Sequence, residues 1–364
     1  MTVKKTASYI ALMLYAPVGM AASVNLYGSV NLSADFYGGA VDADHPYAIS
    51  SNQSYAGFNG GRAFDRGVAL IYQWEAEMDW GSEDGVSHGI NEQRDTFIGL
   101  SGDWGSVRAG RQQTPLMQLG RRYDLFADTI GDARAAYNQT GFTHPEGARV
   151  SSAPWDQRRP GLFAYQSPES ENVQTQLMAG TQQTPQPDQP RDVFGFGSGL
   201  VVDNWRWDAA LEHQRHADQT STQAWRMGAA VEQGNVLLTG FYQRDRQSLY
   251  AYADNTTPVE RSQSNVWGVG GVLQTGKQRF KAQFYQSSGP GLEQDDGARL
   301  WALGLEQRLS RSTYFYSVLA YMDNQHNNSY YTLGQNAGAG RMAPANSEQG
   351  NKHHAFSIGL RHHF

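Results

Sequence analysis

Four of the ten histidines lie in the last twelve residues, HHAFSIGLRHHF, and imidazole is a common ligand of metal ions. They form two adjacent pairs, His353 with His354 and His362 with His363. In an extended strand, neighbouring side chains point to opposite faces, so the members of one pair do not converge on one ion. We therefore expect neither a metal site nor a cofactor.

Two other stretches resemble motifs for phosphate binding or catalysis. The segment GVLQTGKQ at 271–278 matches GxxxxGK, but the Ser or Thr that would bind magnesium is replaced by Gln278. Histidines lie near serines at Ser87-His88 and in the last strand, yet no nucleophile signature such as GxSxG surrounds them. An enzyme is therefore the least favoured class of function.

The elements that carry these residues have the two-residue period of β-strands. In VNLYGSVNLSADF, at 24–36, the even positions are mostly apolar and the odd positions are polar. The last strand shows the same pattern, with Phe356, Ile358 and Leu360 on one face and small or polar residues on the other. Such alternation recurs along the chain, although several stretches such as 312–322 alternate poorly, and it predicts a sheet with different surroundings on its two sides.

The chain contains about sixteen such stretches. Each is about ten residues long, which is the length that a tilted strand needs to cross a bilayer. Short turns such as DRG and GDWGS alternate with long connections, the longest of them 114–157. In hydrocarbon, an unpaired backbone group costs several kcal/mol, so only a closed sheet can span. The predicted strands begin near 24, 52, 67, 91, 105, 158, 172, 193, 205, 222, 235, 262, 278, 298, 312 and 352.

The first residues, 1–21, have the pattern of a secretory signal peptide. Lys4 and Lys5 precede a mostly apolar stretch, and small residues flank a predicted cut after Ala21, with Ala22 as the alternative. Removing two of the 29 basic residues leaves 27 against 35 acidic ones, a charge balance that argues against nucleic acid as a partner. The chain has no cysteine, which suits an oxidising compartment. Residues 22–364 then form one domain.

These features fit an all-β, transmembrane antiparallel barrel of about sixteen strands, whose lumen is too wide for side chains to fill. A secreted soluble β-sandwich or solenoid would show alternation as well. Neither alternative explains the rhythm of long and short connections.

Five segments, in this order and spacing, resemble the general trimeric porins of Gram-negative outer membranes, particularly the neisserial and burkholderial branch. They are VNLYGSV at 24–30, GFNG at 57–60, YQWE at 72–75, TFIGLSGDWGSVRAGRQQTP at 96–115 and IGLRHHF at 358–364. The resemblance covers the whole mature chain. It implies a homotrimer in outer-membrane lipid, in which each water-filled channel passes ions and small hydrophilic solutes by passive diffusion.

The resemblance also implies that the third external loop, 114–157, folds into the barrel and narrows it. Its acidic residues would face arginines on the opposite wall. Matched outward from AGRQ, the acids are Asp124, Asp128 and Asp132, and the wall arginines are Arg94, Arg111 and Arg158. Arg159 would point the other way, although a register error of one residue would exchange it with Arg158.

This sequence departs from the family pattern at Tyr55, where relatives often carry an arginine. Arg121, Arg122 and Arg134 of the loop are candidates to compensate, so ion selectivity stays open. In the family, the barrel-assembly machinery reads a terminal phenylalanine, which is Phe364 here, and the loop at 81–90 latches onto a neighbouring subunit. The alternative function is a substrate-selective channel with a binding site in its loops.

Overall fold

A computed structural model of the chain describes the following parts of the 364 residues: 23–39, 47–78, 90–91, 94–137, 155–170, 172–182, 190–216, 221–250, 258–289, 297–325, 333, 350 and 352–364. The predicted signal peptide at 1–21 lies outside these parts, and so does all but the last residue of the connection 81–90.

The described residues form eighteen strand segments, two short α-helices and one 3₁₀ turn at Asp65–Gly67. The helices are α1 (Pro115–Tyr123) and α2 (Arg134–Tyr137). The strands are β1 (Ser23–Gly39), β2 (Tyr47–Ser51), β3 (Tyr55–Ala63), β4 (Ala69–Met78), β5 (Ile90–Asn91), β6 (Thr96–Gly102), β7 (Gly105–Gln113), β8 (Arg158–Gln166), β9 (Val173–Thr181), β10 (Asp192–Val202), β11 (Trp205–Arg215), β12 (Ser221–Gln233), β13 (Val236–Tyr250), β14 (Pro258–Thr275), β15 (Gln278–Ser287), β16 (Ala298–Arg308), β17 (Thr313–Asn324) and β18 (Lys352–His363).

The eighteen segments make a closed antiparallel barrel of sixteen strands. Two strands are interrupted, because β2 and β3 both pair with β1, and β5 and β6 both pair with β4. The barrel closes where β1 pairs with β18, from Ser29 opposite His363 to Gly39 opposite His353. Gly28 and Phe364 continue this seam through two backbone hydrogen bonds of 3.1 Å. The predicted fold class and strand number are thus confirmed, and the strands begin within five residues of the predicted positions.

The two faces of the barrel differ as the alternation predicts. In β18, Phe356, Ile358 and Leu360 are exposed on the outer face, whereas Ala355 and Ser357 are buried on the inner face. The inner face of β1 carries four buried polar side chains, those of Ser29, Asn31, Ser33 and Asp35. An apolar outside and a polar inside are what a barrel in lipid requires.

Aromatic side chains lie close to the end of the barrel that carries the long connections. Trp267, Phe284, Trp301 and Tyr321 follow one another across β14 to β17, with ring centroids 5.2, 5.1 and 5.5 Å apart. At the opposite end, beside a two-residue turn, Trp205 and Trp207 stack at 5.5 Å. Such belts mark the boundaries between hydrocarbon and headgroups. No helix among the described residues is long and apolar enough to cross a membrane.

Candidate pore constriction

The residues 114–137, hereafter the helical segment, pack against the inner face of the barrel. Thr114 caps α1, because its Oγ1 accepts a hydrogen bond of 3.2 Å from the backbone N–H of Met117, and Pro115 occupies the first helical position. The helix is amphipathic, and Leu116, Leu119 and Tyr123 are buried against strand residues. The helical segment therefore contributes a large part of the main hydrophobic cluster, on the inner side of the barrel wall.

A buried ion pair holds the start of the helical segment. Arg226 of β12 donates two hydrogen bonds of 2.7 and 2.6 Å to Asp156, and both side chains are 0% exposed. The same guanidinium donates to the backbone oxygen of Leu116 at 2.8 Å and to Gln243 at 2.6 Å. The ring of Tyr137 lies 4.6 Å from its Cζ. One arginine thus joins both ends of the connection 114–157 to the wall.

Further strands bind the rest of the helical segment. Tyr123 donates to Asp208 of β11 at 2.7 Å, and Gly228 leaves the space that the Tyr123 ring occupies, where a Cβ would clash. Gln283 of β15 donates to the backbone oxygen of Gly131 at 2.8 Å. Arg361 of β18 donates to the oxygen of Ala127 at 3.3 Å. Contacts with β11, β12, β15 and β18 hold the segment across the barrel rather than along one strand.

The three predicted acidic residues bind groups of their own segment. Asp128 accepts hydrogen bonds from Arg121 at 3.0 and 2.5 Å, and Arg134 lies 3.3 Å away. Asp132 pairs with Arg134 at 2.5 Å. Asp124 accepts hydrogen bonds from two backbone N–H groups and from Gln283, at 2.9 to 3.1 Å. The loop acids were expected to face arginines of the opposite wall, but the arginines that bind Asp128 and Asp132 are Arg121 and Arg134 of the helical segment itself.

Burial and neighbouring charges move the carboxyl pKa values of this segment in opposite directions. Desolvation and the charge of Asp132 raise the pKa of Asp124 to about 8, against the effect of its N–H donors. Burial also favours the protonated form of Asp128, but the charges of Arg121 and Arg134 outweigh it and lower its pKa well below the ordinary range. Near neutral pH, Asp128 is thus ionised.

On the wall, Arg94 stacks on Tyr55, the residue that stands where relatives often carry an arginine. Its Cζ lies 4.1 Å from the ring centroid of Tyr55, and its Nε is 3.3 Å from Glu75. Tyr27 donates to the same carboxylate at 2.7 Å. Tyr55 also interacts electrostatically with Arg121 and Asp128, so this wall and the helical segment are near each other. Arg94 and Tyr55 are therefore in contact on this wall.

Arg158 belongs to the same group of charges. Its Nε lies 3.2 Å from Asp95, and it interacts electrostatically with Arg94, Arg121 and Glu75. Arg159, which was expected on the outer face, is turned inward, where it is 1% exposed and near Glu212. The register between β7 and β8 shifts after Gly110. Gly161, on the facing strand, has φ +66°. The alternation counted back from Tyr165 therefore fails at this point.

The prediction for Arg111 differs from the observed register. Arg111 pairs with Thr96, two residues beyond the pair of Ile98 and Ala109, and Ile98 is 56% exposed on the outer face. Alternation therefore places Arg111 on the outer face and Arg108 on the inner face. Arg108 donates to Gln166 at 2.9 Å. The inward arginine of this strand is Arg108, which the family match did not single out.

Two more groups of inner-face cations were missed, although strand alternation alone could have found them. Arg279 and Lys281 of β15 both bind Glu306, at 3.0 and 3.2 Å, and Arg361 interacts with the same carboxylate. On β11, Arg206 shares Asp208 with Arg122 of the helical segment, at 2.7 and 2.6 Å. In both groups the cations outnumber the carboxylate that they bind. The described residues include no group of three or more side chains arranged to hold a metal ion.

Comparison with known proteins agrees with this architecture. Residues 7–327 match the Gram-negative porin family. Outer membrane porin protein 32 of Delftia acidovorans is 25% identical over 370 residues, which cover 98% of this chain and 99% of that protein. Chitoporin of Vibrio furnissii is 35% identical over 102 residues, only 27% of this chain and 28% of that protein.

Among solved structures, the anion-selective porin from Comamonas acidovorans superposes with a TM-score of 0.73 at 21% identity, over 94% of this chain and 100% of that one. This likeness concerns the fold alone, and the family match together with this fold points to a channel rather than an enzyme. Taken with the family match, it confirms the resemblance inferred from the sequence. The chain belongs to the Gram-negative porin family, and it is an outer-membrane porin that forms a channel for passive diffusion.

Proposed function

We propose that this porin passes small hydrophilic anions in preference to cations, through a lumen narrowed by the helical segment acting as the third external loop. The observation that carries the proposal is a pair of inner-face groups in each of which the cations outnumber the carboxylate that they share. Arg279, Lys281 and Arg361 surround Glu306, while Arg122 and Arg206 share Asp208.

The narrowest region in this proposal lies between the helical segment and the wall of β3 to β8. Arg94, Arg121 and Arg158 would face the lumen there, beside Glu75, Asp95 and Asp128. Each arginine is paired or near a carboxylate, so this region carries charges of both signs close together. Opposite charges about 8 Å apart interact by about 2 kcal/mol at an effective dielectric of about 20, and they orient polar solutes between them. An apolar solute would displace water that is ordered by these charges and would gain no favourable interaction in return, so its passage is disfavoured.

The test is the reversal potential of single channels in a planar bilayer that separates two KCl concentrations. We expect the sign that indicates chloride permeation above potassium permeation, and we expect the preference to weaken at high salt because charges are screened. A reversal potential that indicates potassium preference would overturn the proposed selectivity.

A substrate-selective channel is the second candidate. The segment that matches chitoporin favours it, and so does the inward pair Tyr27 and Tyr55, whose rings meet edge to face at 6.2 Å. Aromatic faces can stack on sugar rings. Saturable block of the ion current by chito-oligosaccharides at low concentration would support this candidate, whereas block that rises linearly with any sugar of similar size would favour the general porin.

The remaining parts of the proposal concern assembly. Export would use the signal peptide 1–21, which N-terminal sequencing of the mature protein would test. Phe364 would act as the signal for the barrel-assembly machinery, and the subunits would form a homotrimer in outer-membrane lipid. Deletion of Phe364 should then lower the amount of assembled trimer in cells, whereas refolding in detergent should change little. We propose no catalytic role, and hydrolytic activity lost on replacement of one serine or histidine would contradict this.

A further inference from the structure

Residues 127–128, hereafter the tip of the helical segment, lie against the seam that closes the barrel. Asn31 of β1 and Arg361 of β18 face each other directly in the register of this seam. Asn31 donates a hydrogen bond of 3.1 Å from Nδ2 to the backbone oxygen of Asp128. Arg361 donates one of 3.3 Å from Nη2 to the backbone oxygen of Ala127. The two sides of the seam thus bind two consecutive carbonyl groups of the tip.

The backbone of the tip suits this double contact. In extended backbone, successive carbonyl groups point to opposite sides, so two consecutive carbonyls can bind one wall only where the backbone turns. Asp128 has φ +60°, in the left-handed region that Asp and Asn adopt more readily than other residues with a side chain. The turn at Asp128 therefore allows both oxygens to reach the same wall.

The side-chain amide of Asn31 is held in one orientation. Its Nδ2 donates to two backbone oxygens, those of Asp128 and Asn52, at 3.1 and 3.2 Å. Its Oδ1 accepts a hydrogen bond of 2.9 Å from the hydroxyl of Tyr316. Since carbonyl oxygens only accept, the two of them decide which end of the amide faces the tip. Asn31 is 2% exposed, and a buried hydrogen bond costs more to break than one in water.

Tyr316 of β17 bridges the same seam. Its ring covers Gly359 of β18, where a Cβ would clash with it, and its hydroxyl reaches Asn31 of β1. The Cζ of Arg361 lies 5.9 Å from the centroid of this ring. Side chains of three strands thus meet at the tip, and they join β17 and β18 to β1 in addition to the backbone hydrogen bonds of the seam.

The seam also acts on the charge of the tip. The guanidinium of Arg361 interacts electrostatically with the carboxylate of Asp128. That carboxylate binds Arg121 and Arg134 of the helical segment. The residues of the seam therefore fix both the backbone of Asp128 and the surroundings of its charge.

We propose that the tip is a latch across the closing seam. Asn31 and Arg361 are positioning residues for the charge of Asp128, and the bound tip in turn holds β1 and β18 together. Coupling between two equilibria is reciprocal, so a change that releases the tip also loosens the seam. The constriction then forms only on a barrel that has closed. The role of Asp128 as a lumen charge rests on the proposed function, whereas the latch itself does not.

The experiment measures hydrogen exchange of the seam strands, residues 28–38 and 353–363, in the purified protein in detergent by mass spectrometry. Asp128→Val and Asp128→Asn both remove the carboxylate, but a β-branched side chain opposes the left-handed backbone that Asn tolerates. Exchange at the seam should rise about tenfold in Asp128→Val, because two hydrogen bonds of ordinary net strength are lost. It should stay near that of the unaltered protein in Asp128→Asn. Exchange in β10 and β11 should not change, which shows that the barrel is otherwise intact.

The reverse experiment changes the seam and measures the loop. Asn31→Ala removes one donor of the latch, so exchange of residues 124–134 should rise about fivefold. The matched control is Ser29→Ala. Ser29 is buried on the same inner face of β1, opposite His363, and it makes no side-chain hydrogen bond with the helical segment among the described residues. This control should leave the exchange of the loop unchanged.

Equal seam exchange in Asp128→Val and Asp128→Asn, or equal loop exchange in Asn31→Ala and Ser29→Ala, would overturn the latch. If Asp128→Val does not assemble, Asn31→Ala and its control give the same decision. The chloride-to-potassium permeability ratio should change alike in both variants of Asp128, because they remove the same charge. A ratio that changes in neither would count against the proposed constriction, while the exchange data would still decide the latch.

Discussion

Two arginine–carboxylate pairs include an aspartate of the connection 114–157, but the surroundings of the two pairs differ. Arg226 and Asp156 are both 0% exposed, whereas the side chains of Arg121 and Asp128 are 22% and 16% exposed. Neither side chain of the sealed pair is exposed to water, so its charges act on each other and on buried neighbours such as Arg134 and Glu212. In the proposed constriction, the more open pair would keep part of its field in the lumen, where a passing ion would respond to it.

The contrast separates anchoring from selectivity within one loop. A buried pair loses much of its attraction to desolvation, and its value lies in the unique geometry that it imposes. A partly exposed pair contributes less to stability but acts on solutes. Replacing the sealed pair should therefore change the width of the channel, and replacing lumen charges should change which ions pass. The four predictions below test this division, from the largest expected effect to the smallest.

The variant Arg226→Gln should release the start of the helical segment. Asp156 would be left buried without a cation, a change that costs about 3–5 kcal/mol. We expect a larger and noisier single-channel conductance and faster hydrogen exchange of residues 114–137. The control Arg226→Met/Asp156→Leu removes both charges and should recover much of the protection. Unchanged exchange in Arg226→Gln would show that other contacts suffice as anchors.

The helical segment should lose stability as the pH rises between about 4 and 8. Burial and Asp132 raise the pKa of Asp124 to about 8 from an ordinary value of 3.8, so the packed segment favours the protonated form. The contribution of protonated Asp124 to the stability of the segment is fully present below pH 3.8, and it is lost as the pH rises to the raised pKa of about 8. Asp128, with its lowered pKa, contributes in the opposite sense, and its contribution is lost only in acid.

Hydrogen exchange of residues 124–134, corrected for the intrinsic rate, measures this opening. In Asp124→Asn the side chain cannot ionise, so the loss of protection toward pH 8 should disappear. If the variant and the unaltered protein show the same pH dependence, another group controls the opening.

Removal of the helix cap should have a smaller effect. Thr114→Ala deletes the hydroxyl that accepts from the N–H of Met117, which costs about 1 kcal/mol. We expect α1 to fray, with more current noise but the same mean conductance and selectivity. Thr114→Ser keeps the hydroxyl and is the matched control. A selectivity change in Thr114→Ala would contradict the separation of anchoring from selectivity.

The smallest effect distinguishes the two neighbouring arginines of β7. Arg108→Ser removes an inner-face cation and should shift the chloride-to-potassium permeability ratio toward potassium by about twofold, because a unit charge about 8 Å from an ion is worth about 0.5 kcal/mol in water. Arg111→Ser, on the outer face, should leave the ratio unchanged. The opposite result in the same bilayer measurement would place the register of β7 one residue out.

Strand periodicity, together with the spacing of the stretches and the rhythm of long and short connections, was sufficient to predict the barrel, its strand number and its two faces. Alternation is local and is clear in β1 and β18, whereas strands that alternate poorly, such as the one at 312–322, were predicted from spacing. The wall residues Arg94 and Tyr55 were identified through the family pattern, and the structure places them in contact at 4.1 Å. Arg279 and Lys281 were visible as polar positions of β15, but nothing local indicated that they share a carboxylate on the next strand.

The errors in the predicted site have two physical causes. One is register, since the shift between β7 and β8 brings Arg159 inward, and an error of one residue in β7 exchanges the faces of Arg108 and Arg111. The other cause is the pairing of charged side chains, either within the loop or with a distant strand, which strand periodicity does not encode. Asp128 meets Arg121 and Arg134 because the chain turns back within the loop, and Asp156 meets Arg226 from a strand far along the chain.

The seam between β1 and β18 has a consequence for the order of folding. Its eleven residue pairs join strands at opposite ends of the described chain, so every intervening hairpin can form before any of them. Loop-closure entropy opposes so distant a contact until the intervening strands have shortened the gap. Until the seam forms, two strand edges remain open to other chains, a hazard for an all-β protein. The final step of folding is thus also the step that protects the barrel from aggregation.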